Sequence, residues 1–161
     1  LGRREVWTCG QNSYGELAHG DTATRKEHQL VEVLQGKDAV DVAAGNEHTV
    51  VLTATGAVLT AGYNDNGQCG QGTTQRVAHL TPVEKLQGLR VTQIHAYNGC
   101  EHSMAICSSG RLLSFGYNYR GQLGQGTTAS EPVPRPVLGL EGKRVATVSC
   151  SYYHSAVATA D

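Results

Sequence analysis

The chain of 161 residues carries 14 acidic and 13 basic side chains, which gives a formal net charge of -1 and an isoelectric point near 6.7. This balance lacks the strong basic excess of nucleic-acid-binding proteins, so we expect no nucleic-acid partner. With 39% hydrophobic residues and only short apolar runs, the composition also excludes a disordered chain and a membrane-spanning helix.

The cysteines are odd in number and lack the CxxC spacing of zinc sites and redox motifs. They predict unpaired thiols in a reducing, intracellular compartment, either cytoplasmic or nuclear. A zinc site at Cys100, His102 and Cys107 does not fit the usual ligand spacing. We therefore expect no metal site and no cofactor. The five cysteines are Cys9, Cys69, Cys100, Cys107 and Cys150.

A glycine-rich phrase recurs three times, as CGQNSYGELAHGDT, AGYNDNGQCGQGTT and FGYNYRGQLGQGTT. Its leading glycines Gly10, Gly62 and Gly116 are separated by 52 and then 54 residues. Similarity at such a period indicates a repeat architecture. We therefore interpret residues 1–161 as a single array, with repeats at approximately 4–55, 56–109 and 110–161.

In chain order, residues 6–9 form the first predicted strand, of a type that we name C. The glycine phrase follows, then a polar stretch, 23–28, that we expect to be a loop. A short apolar segment that ends in Leu-x-Gly at Gly36 is predicted as strand D. The β-branched run around Val40 is strand A, and the segment that begins at His48 is strand B. The same order then repeats from strand C near Val58.

These short, regularly spaced segments predict an all-β chain. Four strands in a period of about 50 residues predict a β-propeller blade made of four antiparallel strands. The chain would contain two full blades and two half blades, which is an incomplete ring. In an antiparallel meander the A–B and C–D loops lie on one face, and the B–C and D–A turns lie on the other.

The repeated positions are best explained as structural. Glycine adopts positive φ without steric cost, an Asn amide satisfies turn backbone groups, and a His followed by Ser or Thr in every copy is expected to bond backbone. A phosphate-binding loop is excluded because GxGxxG followed by a helix is missing. The predicted structural positions are Gly10, Asn12, Gly15, Gly62, Asn64, Gly67, Gly116, Asn118, Gly121, His48, His102 and His154.

The pattern V-x-x-V-x-x-G-x-x-H-[ST], then G-x-[LV], then G-x-N-x-x-G-Q-L-G-x-G resembles the regulator of chromosome condensation repeat. The match is closest at residues 118–126, NYRGQLGQG, and it covers all three copies. The resemblance implies a closed ring of seven blades in complete members. It also implies varied activities: nucleotide exchange on a small GTPase, chromatin docking, partner binding in ubiquitin ligases and ultraviolet sensing.

Three repeats do not fill a seven-bladed ring. We therefore expect the chain to be part of a longer protein, or to associate with another copy. A free arc would expose apolar blade flanks and open strand edges. The expected partners are accordingly the remaining propeller blades or a second copy that completes the ring.

The residues that differ between copies are the candidates for partner binding. The A–B loops and the variable pairs Ser13-Tyr14, Asp65-Asn66 and Tyr119-Arg120 are rich in Tyr and Arg, which are frequent at interface hot spots. The alternative is that these tyrosines pack as loop supports. The candidate face consists of Tyr14, Asn46, Glu47, Tyr97, Asn98, Glu101, Tyr119, Arg120, Tyr152 and Tyr153.

No catalytic dyad or triad stands out from the repeat pattern, so no catalytic residues are predicted. The leading hypothesis is a non-enzymatic protein–protein interaction module of a larger intracellular propeller protein, of the scaffold or ubiquitin-ligase partner-binding type. The alternative is a guanine-nucleotide exchange factor for a small GTPase, which inserts loops into its target and needs no catalytic dyad.

Overall fold

The computed structural model describes residues 4–97 and 99–160. Within these ranges none of the helices is long or apolar enough to cross a membrane. The strands, in chain order, are β1 (Trp7–Gly10), β2 (Arg25–Leu30), β3 (Ala39–Ala44), β4 (His48–Thr53), β5 (Val58–Gly62), β6 (Val77–Pro82), β7 (Val91–His95), β8 (His102–Cys107), β9 (Leu112–Gly116), β10 (Glu131–Pro136), β11 (Val145–Cys150) and β12 (Ser155–Thr159).

The strands form two four-stranded antiparallel sheets and two hairpins. The sheets have the orders β3-β4-β5-β6 and β7-β8-β9-β10, so each is a simple meander of strands A, B, C and D. The hairpin β1-β2 is a C–D pair, and the hairpin β11-β12 is an A–B pair. The prediction of an all-β chain with two full and two half blades is therefore confirmed.

The position of strand D was predicted wrongly. It is formed by β2, β6 and β10, which lie largely in the polar stretches expected to be loops. In the first two copies the Leu-x-Gly segment instead forms short 3-10 helices, Glu32–Leu34 and Glu84–Leu86. Strand D is the outer edge of the blade, so it buries little apolar surface and tolerates proline, and the apolar alternation that identifies strands is missing.

Each full blade is apolar on both faces because it packs between two neighbours. In β4, the side chains of Val50 and Leu52 belong to a buried cluster that includes Phe115 of the next blade. Val51, between them, belongs to the cluster on the other side, with Leu34. The continuous run of apolar residues in this strand follows from burial on both faces, and each fully buried aliphatic side chain contributes about 1.5–3 kcal/mol.

A repeated hydrogen-bond chain joins neighbouring blades. The ring nitrogen Nε2 of His48 lies 2.8 Å from Oγ of Ser103 in the next blade, and this hydroxyl donates to the carbonyl oxygen of Gln68 at 2.9 Å. His102 and Ser155 repeat the first contact at 2.9 Å. The histidine thus bonds a hydroxyl of the next blade rather than the backbone that the sequence analysis expected. His154 is exposed.

Candidate interaction face

The A–B and C–D loops lie on the same face of the blades, as the meander predicts. In the first full blade the backbone N–H of Tyr63 donates to the carbonyl oxygen of Glu47 at 2.8 Å. In the second, the N–H of Tyr117 donates to the carbonyl oxygen of Glu101 at 2.9 Å. Each A–B loop is therefore fixed directly against the C–D loop of its own blade.

A buried asparagine holds each C–D loop in shape. The amide nitrogen of Asn64 donates to the carbonyl oxygens of Thr73 at 2.9 Å and Gln75 at 2.8 Å, and its Oδ1 accepts from the N–H of Cys69 at 2.8 Å. Asn12 and Asn118 occupy the same position in the other two C–D loops and make the equivalent bonds. The hydrogen bonds of these buried asparagines therefore fix the backbone of the loops that carry the variable residues.

One glycine of the phrase lets neighbouring blades approach closely. Gly67 has a φ of +82°, and a Cβ atom there would overlap Cα of Pro132 in the next blade. Gly121, at the equivalent position of the following copy, has a φ of +77° and open space at the Cβ position. All the glycines predicted as structural positions have positive φ: Gly10, Gly15, Gly62, Gly67, Gly116 and Gly121.

The face presents large exposed aromatic side chains. The exposed fraction is 62% for Tyr119, 51% for Tyr153, 48% for Tyr97 and 41% for Tyr152. The rings of Tyr152 and Tyr153 meet edge to face with centroids 4.4 Å apart, and Tyr119 lies 4.9 Å from Tyr117. The rings in each pair therefore contact one another, and Tyr119, Tyr152 and Tyr153 remain exposed to solvent.

Tyr14 fits the packing alternative instead. It is half-buried, its ring centroid lies 4.9 Å from that of Tyr63, and the guanidinium carbon of Arg76 sits 4.5 Å above its ring. Arg76 also reaches the carboxylate of Asp65 at 3.9 Å. This cluster joins the C–D loops of neighbouring blades. The guanidinium of Arg76 is engaged by both the Tyr14 ring and the Asp65 carboxylate.

Arg120 bridges two copies at the other end of the face. Its guanidinium carbon lies 5.7 Å from the ring centroid of Tyr153, within the range of a cation–π contact. Its backbone N–H donates to Oε1 of Gln122 at 3.0 Å, which fixes the loop that carries it. The side chain remains exposed.

Two half-buried glutamates lie on adjacent A–B loops. Partial burial, and then the neighbouring Glu47, raise the pKa of Glu101, although Nδ2 of Asn66 donates to its Oε2 at 3.0 Å. Glu101 in turn is the main cause of a raised pKa at Tyr152. Within the described residues, no lysine or arginine lies at ion-pair distance from either glutamate.

The remaining predicted residue of the first A–B loop is also on this face. Asn46 is exposed, and its backbone N–H donates to the carbonyl oxygen of Cys100 at 3.0 Å, which joins the A–B loops of the two full blades. Asn98 lies outside the described residues.

Sequence reasoning missed Tyr63, Tyr117 and Arg76 on this face. The two tyrosines follow the leading glycine in the phrase Gly-Tyr-Asn, and their recurrence made them look like part of the scaffold. Their position beside the variable pairs was the available signal. Arg76 lies in a polar stretch without a recurring pattern, so nothing in the sequence singled it out.

Repeated four-stranded meanders, packed face to face and joined by one recurring hydrogen-bond chain, define a β-propeller-type repeat protein. The model of the regulator of chromosome condensation (RCC1) repeat matches residues 5–52, 55–106 and 109–158. The chain belongs to this family.

Curated relatives cover nearly all of the chain. It is 33% identical over 157 residues to the Arabidopsis thaliana ultraviolet-B receptor UVR8, with 97% of this chain and 35% of that protein covered. It is 35% identical over 150 residues to the human E3 ubiquitin-protein ligase HERC2, with 93% of this chain and 3% of that protein covered. The chain therefore spans 35% or less of the length of these relatives.

Solved structures show the same fold. Human WBSCR16 superposes with a TM-score of 0.85 at 25% identity, over 99% of this chain and 41% of that one. Saccharomyces cerevisiae Prp20p, whose structure was described with its binding properties to Gsp1p and histones, also gives a TM-score of 0.85, at 18% identity over 97% of this chain and 40% of that one. At that identity the likeness to Prp20p concerns the fold alone.

Proposed function

We propose that the chain is a non-enzymatic protein-binding module of a larger intracellular propeller protein, of the scaffold or ubiquitin-ligase partner-binding type. The observation that carries this proposal is the rigid face of the A–B and C–D loops, from which Tyr97, Tyr119 and Tyr153 project. Exposed tyrosines on a fixed backbone supply contact area at low cost in conformational entropy, and they are enriched at interface hot spots.

The relatives support the same proposal in outline. Two of the proteins that match most of the chain are named ubiquitin ligases, HERC2 and HERC3, the latter 37% identical over 135 residues. The chain covers only 3% and 13% of their respective lengths, which suits a repeat module attached to other domains.

The test compares two variants, each with two exposed side chains replaced by alanine. Tyr119→Ala with Tyr153→Ala removes two exposed rings from the face. Val33→Ala with Lys85→Ala removes two exposed side chains at equivalent positions of the 3-10 helices after strands β2 and β6, at the opposite ends of the blades. Both variants should keep the free energy of unfolding, measured in urea, within about 0.5 kcal/mol of the wild-type value, since exposed substitutions change little.

We expect quantitative affinity capture from cell extract, followed by mass spectrometry, to recover a protein that the wild type and the control retain and the tyrosine variant loses. Equal recovery by all three proteins would contradict the assignment of this face. Accelerated nucleotide release from one member of a panel of small GTPases, abolished in the tyrosine variant, would favour an exchange factor instead.

We also propose that the apolar flank of the β1-β2 hairpin is covered in the working protein by further blades or by a second copy. Trp7 of β1 is exposed, and together with the exposed Val40 and Val42 of the neighbouring strand β3 it lines one surface depression. Light scattering on the 161-residue chain separates the two possibilities: a dimer would support the second copy, and a monodisperse monomer would contradict it.

A further inference from the structure

The A–B loops of the two full blades place Glu47 and Glu101 on adjacent loops, and within residues 4–97 and 99–160 neither glutamate forms an ion pair with lysine or arginine. Glu47 and Glu101 directly precede the buried histidines His48 and His102. The two glutamates therefore occupy equivalent positions at the start of strand B in neighbouring blades. The loops are linked by the hydrogen bond from Asn46 to Cys100. Consistent with this arrangement, partial burial and then the charge of Glu47 raise the pKa of Glu101.

Tyrosines lie next to both glutamates. The backbone N–H groups of Tyr63 and Tyr117 donate to the carbonyl oxygens of Glu47 and Glu101, at 2.8 and 2.9 Å, so each tyrosine is adjacent to the glutamate of its own blade. Tyr152 lies close enough to Glu101 for that carboxylate to be the main cause of its raised pKa. Carboxylates beside aromatic rings form an environment that suits a cation, which gains a charge-assisted hydrogen bond and a cation–π contact together.

The arginines of this face do not supply a cation to Glu47 and Glu101, because their guanidinium groups contact other residues. Arg76 lies over Tyr14 and reaches Asp65, and Arg120 lies beside Tyr153. Both belong to the C–D side of the blades. The contacts between β3 and β7, and between β7 and β11, show that the A strands converge at the opposite edge. Glu47 and Glu101 lie on the A–B loops, next to these strands.

We propose that Glu47, Glu101 and the tyrosines beside them bind a lysine or arginine side chain of the partner protein. This proposal rests on the proposed function, because it names the partner chemistry of the same face. A cation between the two glutamates relieves their mutual repulsion, and because Glu101 is already partly desolvated, its interaction with that cation is weakly screened by salt. The basic residue then sets the register of the partner on the tyrosines around it.

The test is a selection of random linear peptides displayed on phage, with the wild-type chain immobilised. We expect enrichment of peptides that carry Lys or Arg beside apolar residues. Their affinity should fall about tenfold or more for the double variant Glu47→Gln with Glu101→Gln. It should be unchanged for the control Glu27→Gln with Glu84→Gln, which removes the same charge from exposed sites away from the face.

The outcomes separate the two proposals. One outcome is that the selected peptides need Tyr119 and Tyr153, show no enrichment of Lys or Arg, and bind the Glu47/Glu101 variant as tightly as the wild type. This result would overturn the basic-residue proposal but would still support the binding module. Failure to select any peptide that depends on the tyrosines would count against the binding module, and with it against both proposals. A urea midpoint for each variant confirms that folded proteins are compared.

Discussion

The imidazole of His48 is fixed in one tautomer by Ser103, 2.8 Å away in the next blade. The single proton of the Ser103 hydroxyl is donated to the carbonyl oxygen of Gln68, so the hydroxyl has only a lone pair to offer the histidine. Nε2 of His48 must therefore carry the proton. Its Nδ1 is buried without a hydrogen-bond partner, which places a neutral imidazole firmly between two sheets.

Ser103→Ala should destabilise the junction between the two full blades. The substitution leaves the N–H of His48 and the carbonyl oxygen of Gln68 buried and unpaired, which costs about 2–3 kcal/mol. We expect this loss in the free energy of unfolding measured in urea. Ser108→Ala, at the exposed turn between β8 and β9, is the control and should change the stability by less than about 0.5 kcal/mol. Equal stability of the two variants would contradict the role of the junction.

The buried histidines should make the fold sensitive to mild acid. Burial, assisted by the neighbouring histidine, lowers the pKa of His48 to about 3 and that of His102 to about 4. Both values lie below the value of about 6.5 in the unfolded chain, so the unfolded state binds more protons as the pH falls. The stabilisation is therefore complete above pH 7 and declines as the pH drops from 6.5 toward 4.

Between pH 7 and pH 5 we expect a loss of about 2 kcal/mol for each of the two histidines. Urea unfolding across this range measures it. His102→Asn should reduce the slope, whereas His79→Gln, at an exposed position of the edge strand β6, should preserve it. A wild-type unfolding free energy that stays constant from pH 7 to pH 5 would show that these imidazoles are not held neutral by the fold.

Gly67→Ala and Gly121→Ala form a matched pair that isolates the contact between blades. Both glycines have nearly the same positive φ, so the backbone strain of about 1–2 kcal/mol is common to both variants. Only at Gly67 does the new methyl group overlap the backbone of Pro132. We expect Gly67→Ala to unfold at a lower urea concentration, with an additional loss of at least about 2 kcal/mol. Similar midpoints would mean that the blades separate easily at this point.

Asn64→Ala should weaken the C–D loop of the first full blade. Three backbone groups lose their partner, among them the buried N–H of Cys69, and we expect a loss of about 2 kcal/mol in the free energy of unfolding. Hydrogen exchange should rise first at the amide of Cys69, which loses its acceptor. Asn46→Ala, on the exposed A–B loop, is the control. An unchanged exchange rate at Cys69 would contradict the proposed support.

Strands A, B and C could be predicted from the sequence because burial on one or both faces imposes a pattern. His48 to Thr53 and Val58 to Gly62 are almost wholly buried, and their β-branched and apolar composition identifies them. Strand D could not be found in this way. Its residues lie at an edge exposed to solvent and are mostly polar. It pairs with strand C through backbone hydrogen bonds, which do not require a particular side-chain pattern.

The candidate face was predictable as a set of loops, but the relations among its side chains were not. A meander places the A–B and C–D loops together, whatever their composition. Which tyrosine packs and which is exposed depends on the neighbouring blade: Tyr14 contacts Tyr63 and Arg76, while the exposed ring of Tyr119 contacts that of Tyr117 in its own loop. The pairing of Glu47 with Glu101 likewise arises only when successive blades stack.

The prolines of β10 have a consequence for the behaviour of this protein in a crowded solution. Pro132, Pro134 and Pro136 alternate with residues of the strand, and the carbonyl oxygen of Pro132 accepts from the N–H of Gly72 rather than from β9. None of the three prolines has an N–H to offer to a strand outside the sheet. Because an incoming strand would find no row of donors there, the rim of this blade resists the strand-by-strand growth by which β-proteins aggregate.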